Sequence, residues 1–334
     1  AGMVRLSKWF ALLAVIMELI GACLLRTRFI PILGVKQGIW YSIFHAVSAF
    51  CNAGFDMFGG FKSLVDFQHD PLVLLTIAWL IIFGGMGFAV LTELMHNRFH
   101  FHKLSLHTKL AVCITAALLV GGTLLILALE WANPATLGDP FLNFGDKLLN
   151  AFFQSATLRT AGFASVNQAA LTDSGKLISV IWMFIGASPA STGGGVKTTT
   201  MGVVLLMVVS VLRGRDTVSC FGKQLPISIV RRAITLVIIS LGIVLTCTIA
   251  MSISEHGTGK NMLDLVFEAT SAFGTVGLSS VGTPTLNTFS QSLLIPVMFF
   301  GRVGPLTLAL ALASKLENNP RNRIHYPEDK VMIG

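Results

Sequence analysis

Charge is what this chain has least of. Only 12% of its 334 residues are Asp, Glu, Lys or Arg, against roughly 25% in a soluble domain. With 53% hydrophobic residues and a mean hydropathy of +0.75, an ordinary soluble globule is excluded. Paired cysteines are absent as well. Cys23, Cys51, Cys113, Cys220 and Cys247 recur at no fixed spacing and sit mostly inside apolar stretches. Metal or redox use would need paired spacings, so these read as free buried thiols. No grouping of nucleophile, base and acid stands out, and no enzyme is expected. The sequence begins at Ala1, and no signal-peptide pattern precedes its first apolar stretch. An N-terminal piece of the native chain is therefore expected to be missing.

Long apolar stretches are plentiful: Trp9–Leu25, Leu72–Val90, Leu110–Leu129, Leu177–Ile185, Val203–Leu212, Ile234–Met251 and Leu293–Leu312. A run of about 18 to 20 apolar residues can cross a ~30 Å hydrocarbon core. The expected fold class is an all-α polytopic membrane protein. A formal net charge of +8 could suit nucleic acid, but its placement points to lipid and not to nucleic acid. Basic residues gather at Arg98, Lys103 and Lys109, at Arg213, Arg215, Lys223, Arg231 and Arg232, and at Lys315, Arg321, Arg323 and Lys330. The bias of Lys and Arg toward cytoplasmic loops puts these, with Arg5 and Lys8, inside the cell. Asp56, Asp66, Asp70, Glu130, Asp139, Asp146, Asp173, Glu255 and Asp264 fall on the opposite side, where Arg26, Arg28 and Lys36 break the pattern.

Three segments align without gaps: FHAVSAFCNAGF from Phe44, FFQSATLRTAGF from Phe152 and FEATSAFGTVGL from Phe267. Their glycines, Gly54, Gly162 and Gly277, recur at a near-constant interval of about 110 residues. Each segment lies between two full apolar spans yet is itself too short to cross. It reads as a half-helix that enters the membrane, stops, and returns as extended chain. Non-helical backbone at that depth is tolerated only inside protein or beside water. Three such returns converging on one axis make a pore.

The returning loops, Asn52-Ala53-Gly54, Thr160-Ala161-Gly162 and Thr275-Val276-Gly277, carry no side-chain charge. Glycine permits the dihedrals that turn a carbonyl inward, and rings of carbonyls can replace the hydration shell of a large monovalent cation. The C-terminal dipole ends of the half-helices favour a cation there. A divalent ion would call for carboxylates. Arg159, next to one loop, is expected to point away from the pore, paired with Glu268 or capping its own half-helix.

Leu177–Leu212 as one helix would be about 54 Å long. Its middle, GASPASTGGGVKTTT (186–200), breaks it with Ser188, Pro189, Ser191, Thr192, Gly193, Gly194, Gly195 and Lys197. The break reads as an intramembrane loop beneath the filter that obstructs conduction and moves aside. A phosphate-binding loop would need Gly directly before the Lys, where Val196 stands. Arg302, inside the last apolar stretch, is expected to hold this loop closed through its carbonyls, or else to snorkel to an interface. His96, His100, His102 and His107 read as a solvated loop, His45 as a packed side chain, and GGMGF (84–88) as a site of close helix approach.

These residues resemble the Trk/Ktr/HKT superfamily of potassium transporters. The likeness rests on SAFCNAGF, ATLRTAGF and SAFGTVGL, on the 186–200 loop, and on FFGRVGPLT around Arg302; the tail RIHYPEDKVMIG is similar to Ktr-type membrane subunits. The resemblance implies a pseudo-fourfold pore of helix–half-helix–helix units. Three of the four are here: 1–100 as the second, 101–216 as the third with the gate loop, and 217–316 as the fourth, followed by a cytoplasmic tail at 317–334. It further implies potassium as the transported ion with no cofactor in this subunit, and sodium stimulation. A homodimer in the bacterial inner membrane, resting on a cytosolic nucleotide-binding (RCK-type) regulatory ring, is implied as well. The rival reading is an alternating-access cation symporter with a broken-helix binding site.

Overall fold

The computed structural model describes residues 2–98, 100–215 and 217–304. The 317–334 tail and the far end of the Leu293–Leu312 stretch lie outside them.

Eleven α-helices among the described residues form three successive units of one pattern. The first unit has α1 (Gly2–Leu33), α2 (Val35–Phe50), α3 (Pro71–Met86) and α4 (Phe88–His96). The second has α5 (Leu106–Glu130), α6 (Phe144–Thr157), α7 (Asp173–Phe184) and α8 (Thr198–Leu212). The third has α9 (Ile227–Ser254), α10 (Met262–Gly274) and α11 (Thr288–Val303). A short antiparallel hairpin, β1 (Ser219–Cys220) with β2 (Lys223–Gln224), joins the second to the third.

Each unit opens with a helix long and apolar enough to span a membrane: Lys8–Leu33, Leu106–Glu130 and Ile227–Ser254. These helices leave large apolar side chains such as Leu19, Leu124 and Leu245 on the outside. Lipid can cover such a surface, and water cannot cheaply do so. The second helix of each unit is short, with 16, 14 and 13 residues in α2, α6 and α10. At about 1.5 Å per residue none reaches across a ~30 Å core. Their interior faces are polar: His45 and Asn150 are fully buried, Gln154 and Glu268 nearly so. Polar faces turned inward are the arrangement expected of helices that line a site within a membrane.

The third helix of the first two units is interrupted. α3 and α4 meet at a 96° bend around Gly87, whose φ of +87° no β-carbon-bearing residue adopts easily. This corrects the expectation of an unbroken span over Leu72–Val90. The second unit breaks over 185–197, between α7 and α8. α11 is described to Val303, with Arg302 in its last turn and Gly304 at φ +89°. FGGMGF and FIGASP, starting at Phe83 and Phe184, mark the two breaks, and FGRVGP from Phe300 is a similar sequence at the end of α11.

A polar clasp ties the end of each first helix to the start of the third. Arg28 pairs with Asp70 at 3.1 Å, and Asp70 caps α3. Glu130 accepts from Thr172 N and Oγ1 at 2.9 and 2.7 Å, and Thr172 caps α7. Glu255 accepts from Asn287 N at 2.8 Å, and Asn287 caps α11. Such caps satisfy helix N–H groups that would otherwise lack a partner. They also fix where each unit's two long arms stand, and so where the half-helix between them is aimed.

Candidate functional site

The three half-helices end within reach of one another. Chain direction then reverses through a repeated backbone conformation. Asn52, Thr160 and Thr275 have φ of +51°, +69° and +51°, and two residues later Gly54, Gly162 and Gly277 have +69°, +92° and +94°. Positive φ is rare for β-branched Thr, and strain of this kind clusters at functional positions. Nothing in the sequence marked Thr160 or Thr275 for it beyond their alignment with Asn52, a residue that tolerates the left-handed region.

The glycines touch. A Cβ placed on Gly54 would lie 2.2 Å from Ala161 O and 2.9 Å from Gly162 Cα. One on Gly162 would lie 2.1 Å from Val276 O and 3.4 Å from Gly54 Cα. The bare faces of Gly54 and Gly162 are therefore filled by a carbonyl of the next segment. On Gly277 the nearest atom would be Gly162 Cα, 3.9 Å away. Gly277 and Val276 instead line a cleft of about 470 Å³ together with Asn52 and Ala53. On the other side of the glycines a second cavity of about 630 Å³ includes Asp56, Asp66, Asn167 and all three glycines in its wall.

The half-helix ends are clamped from behind. Gly84 and Gly301 would each drive a Cβ to under 2 Å from the carbonyl of Phe50 or Phe273. These glycines are what the FGGMGF and FGRVGP signals encode. Arg159, 2% exposed, reaches away to α5 and donates to Thr115 Oγ1 at 3.1 Å. Neither expected partner holds it. No ion pair to Glu268 forms among the described residues, because the Glu268 carboxylate is taken by Ser279 and Thr283. Hydroxyls 11 and 15 residues along its own chain outcompeted a guanidinium on another unit.

The 186–200 loop lies directly against the returning segments. Successive residues meet equivalent positions: Thr192 Oγ1 donates to Asn52 Oδ1 at 3.1 Å, Gly193 packs on Thr160 and Gly194 on Thr275. A side chain at Gly193 would meet Thr160 Oγ1 at 2.0 Å, which explains the glycine run. The loop is held on several sides. Ser188 N and Thr192 N donate to Gly85 O and Gly84 O, and Gly195 N donates to Gly301 O. Ser188 and Thr198 hydroxyls bond at 3.0 Å, Ser191 Oγ closes a turn on Ser188 O, and Lys197 Nζ donates to Gly193 O at 2.6 Å. The Pro189 carbonyl fills the space a side chain on Gly87 would need. Arg302, an exposed residue, donates to Thr192 O of the loop. Among the described residues no three His, Cys, Asp or Glu side chains converge as a metal site.

Spanning helices, polar half-helices and a clustered glycine backbone define a polytopic helical transport protein of the membrane. The family of TrkH cation transport proteins matches residues 3–324, and the chain belongs to that family. It is 39% identical to Ktr system potassium uptake protein B of Bacillus subtilis, over all of this chain and 72% of that protein. It is 37% identical to potassium/sodium uptake protein NtpJ of Enterococcus hirae, over all of this chain and 73% of that one. The crystal structure of the potassium transporter TrkH from Vibrio parahaemolyticus shares the fold, with a TM-score of 0.70 at 18% identity. That match covers 95% of this chain and 64% of the other.

Proposed function

We propose that this chain is the conducting membrane subunit of a Ktr-type potassium-uptake system. The ion passes between the carbonyls of Asn52–Gly54, Thr160–Gly162 and Thr275–Gly277, and the 186–200 loop, latched by Arg302, is the gate. The observation that carries the reading is the closure of the Ala161 carbonyl on Gly54 and of the Val276 carbonyl on Gly162, with Gly277 beside them. Uncharged oxygens in a ring suit a large monovalent ion that must leave as readily as it enters. The half-helix C-terminal ends add favourable partial charge.

In this reading residues 1–100, 101–216 and 217–316 are three pore units of four. The cleft lined by Val276–Gly277 and Asn52–Ala53 is the place for a fourth filter segment, which would present its carbonyl to Gly277 as Val276 does to Gly162. The basic stretches 98–109 and 213–232 face the cytoplasm, where a nucleotide-binding regulatory ring docks on a homodimer of membrane subunits. That two-part assembly follows the naming of its relatives as Ktr system proteins, and sodium stimulation is in keeping with the potassium/sodium name of another.

The test is flux through the full-length protein in liposomes. Rubidium uptake driven by a potassium gradient should exceed uptake into empty vesicles, be blocked by external potassium, and be little affected by equal sodium. Uptake strictly coupled to a second ion, slow and saturating, would favour alternating access about the two breaks instead.

A further inference from the structure

Asn52 meets the loop and the neighbouring filter segment with its side chain as well as its backbone. It is 4% exposed and stands in a slot bounded by two glycines of α3. A Cβ on Gly84 would come within 2.9 Å of Asn52 Oδ1, and one on Gly85 within 3.4 Å of Nδ2. The amide nitrogen donates to Arg159 O and to Thr160 Oγ1, each at 3.2 Å. A carbonyl can only accept, which fixes the nitrogen on that side. The amide oxygen faces the loop and shares the Thr192 Oγ1 proton with Phe50 O, at 3.1 and 3.2 Å, while the carbonyl of the same Thr192 accepts from Arg302. Every donor in this series points from the latch toward the filter. The arrangement is not repeated at the equivalent positions: Thr160 is a recipient of it, and the buried Thr275 hydroxyl has no hydrogen-bond partner among the described residues.

We propose that Asn52 is a positioning residue through which the gate loop controls ion selection as well as ion passage. With the loop seated, the Asn52 amide occupies Arg159 O and the Thr160 hydroxyl, the innermost oxygens of the second returning segment. When Thr192 withdraws, the amide loses its fixed acceptor role on the loop side and turns, and those two oxygens are released to a dehydrated cation. Filter and gate are then one device, and the selective geometry is completed only as the loop leaves. Hydrogen bonds in series inside a low-dielectric site reinforce one another, so removing either end weakens the whole set. The proposal rests on the filter-and-gate reading above.

The test uses the full-length chain in its native assembly, reconstituted in liposomes, with rubidium and sodium fluxes measured on the same preparation. Thr192→Val removes the hydroxyl and keeps the carbonyl that holds Arg302. It should raise resting rubidium flux about fivefold, the population shift one buried neutral hydrogen bond is worth, and should raise the rubidium-to-sodium ratio with it. Thr192→Ser should restore both. Asn52→Leu should mimic Thr192→Val, and the double variant should do no more than either alone, because residues in one network are not additive. A steric plug without this coupling predicts otherwise: higher flux at an unchanged ratio, with additive effects, and that result overturns the proposal. So does a silent Thr192→Val. If Asn52→Leu fails to fold, the Thr192→Val and Thr192→Ser pair still decides. Absence of rubidium flux in the unaltered protein, or a Gly162→Ser variant of unchanged selectivity, would fell the filter reading itself and this proposal with it.

Discussion

Replacing Gly162 with alanine adds one methyl group at the most crowded point of the glycine cluster. Two costs follow from its surroundings. Its φ of +92° is strained for any residue with a Cβ, at roughly 1–3 kcal/mol. The new carbon would also sit 2.1 Å from Val276 O, so that carbonyl must retreat by about 1 Å to reach ordinary contact. Gly162 and Val276 belong to different units, so the retreat widens the space between two returning segments, the proposed filter, and is not absorbed within one. A cage of carbonyls that prefers potassium by its size or by the field of its oxygens loses that preference when one wall moves so far. A tenfold change in preference is only about 1.4 kcal/mol, well within the strain introduced. The expected result is a drop of about tenfold in the potassium-to-sodium permeability ratio, read from reversal potentials in bilayers or from paired rubidium and sodium uptake. Gly54→Ala should act in the same direction, since its Cβ would meet Ala161 O at 2.2 Å. A Gly162→Ala protein that folds, conducts and selects as before would refute the reasoning.

The remaining predictions concern the latch, the loop and the clasps. Arg302→Ala removes the donor to Thr192 O and should increase resting flux severalfold; Arg302→Lys, which keeps a donor but not the planar fork, should fall between, and an unchanged leak in rubidium uptake would leave the latch without support. Deleting 190–195 should give a pore that no longer closes; if uptake falls while protein levels hold, the loop is structural. Glu255 should give an acid-labile component of stability. Burial alone would raise its pKa, but hydrogen bonds from Lys260 and the Asn287 N–H, with the Lys260 charge, outweigh that and lower it to about 2 from 4.5. A depressed carboxylate contributes its full stability above its unfolded pKa and loses it as pH falls toward the folded one. Melting in detergent should therefore be flat above about pH 5 and decline from there toward pH 2. Glu255→Gln should remove that part of the slope, and an identical profile for the two proteins would contradict the assignment.

The three returning segments were legible because their chemistry is local. A half-helix too short to span and a glycine at a fixed offset leave a trace in the sequence, and so does the run of glycines at 193–195. Arg302 was legible because a charge amid apolar residues needs a partner, and Thr192 O supplies one. The partner of Arg159 was not. Thr115 on α5 and Glu268 on α10 were equally plausible by residue type, and only packing chose between them. The bend at Gly87 was hidden for a related reason. GGMGF signals close approach and helix interruption alike, and both are present: Gly84 lies against Phe50 O while Gly87 turns the chain. The clasps at Asp70, Thr172 and Asn287 join residues 32 to 42 positions apart, and their capping residues share no type, so alignment of the units did not show them. The side-chain role of Asn52 was invisible too, because its three partners come from two other segments.

The central claim is that carbonyl oxygens around Gly54, Gly162 and Gly277 hold a dehydrated potassium-like ion. Anomalous scattering from crystals of the full-length protein grown in rubidium tests it directly. The account predicts rubidium peaks on the line where the three glycine-bearing segments face one another, lost when sodium replaces rubidium. Peaks confined to the acidic outer cavity near Asp56 and Asp66, with none between the glycines, would contradict it.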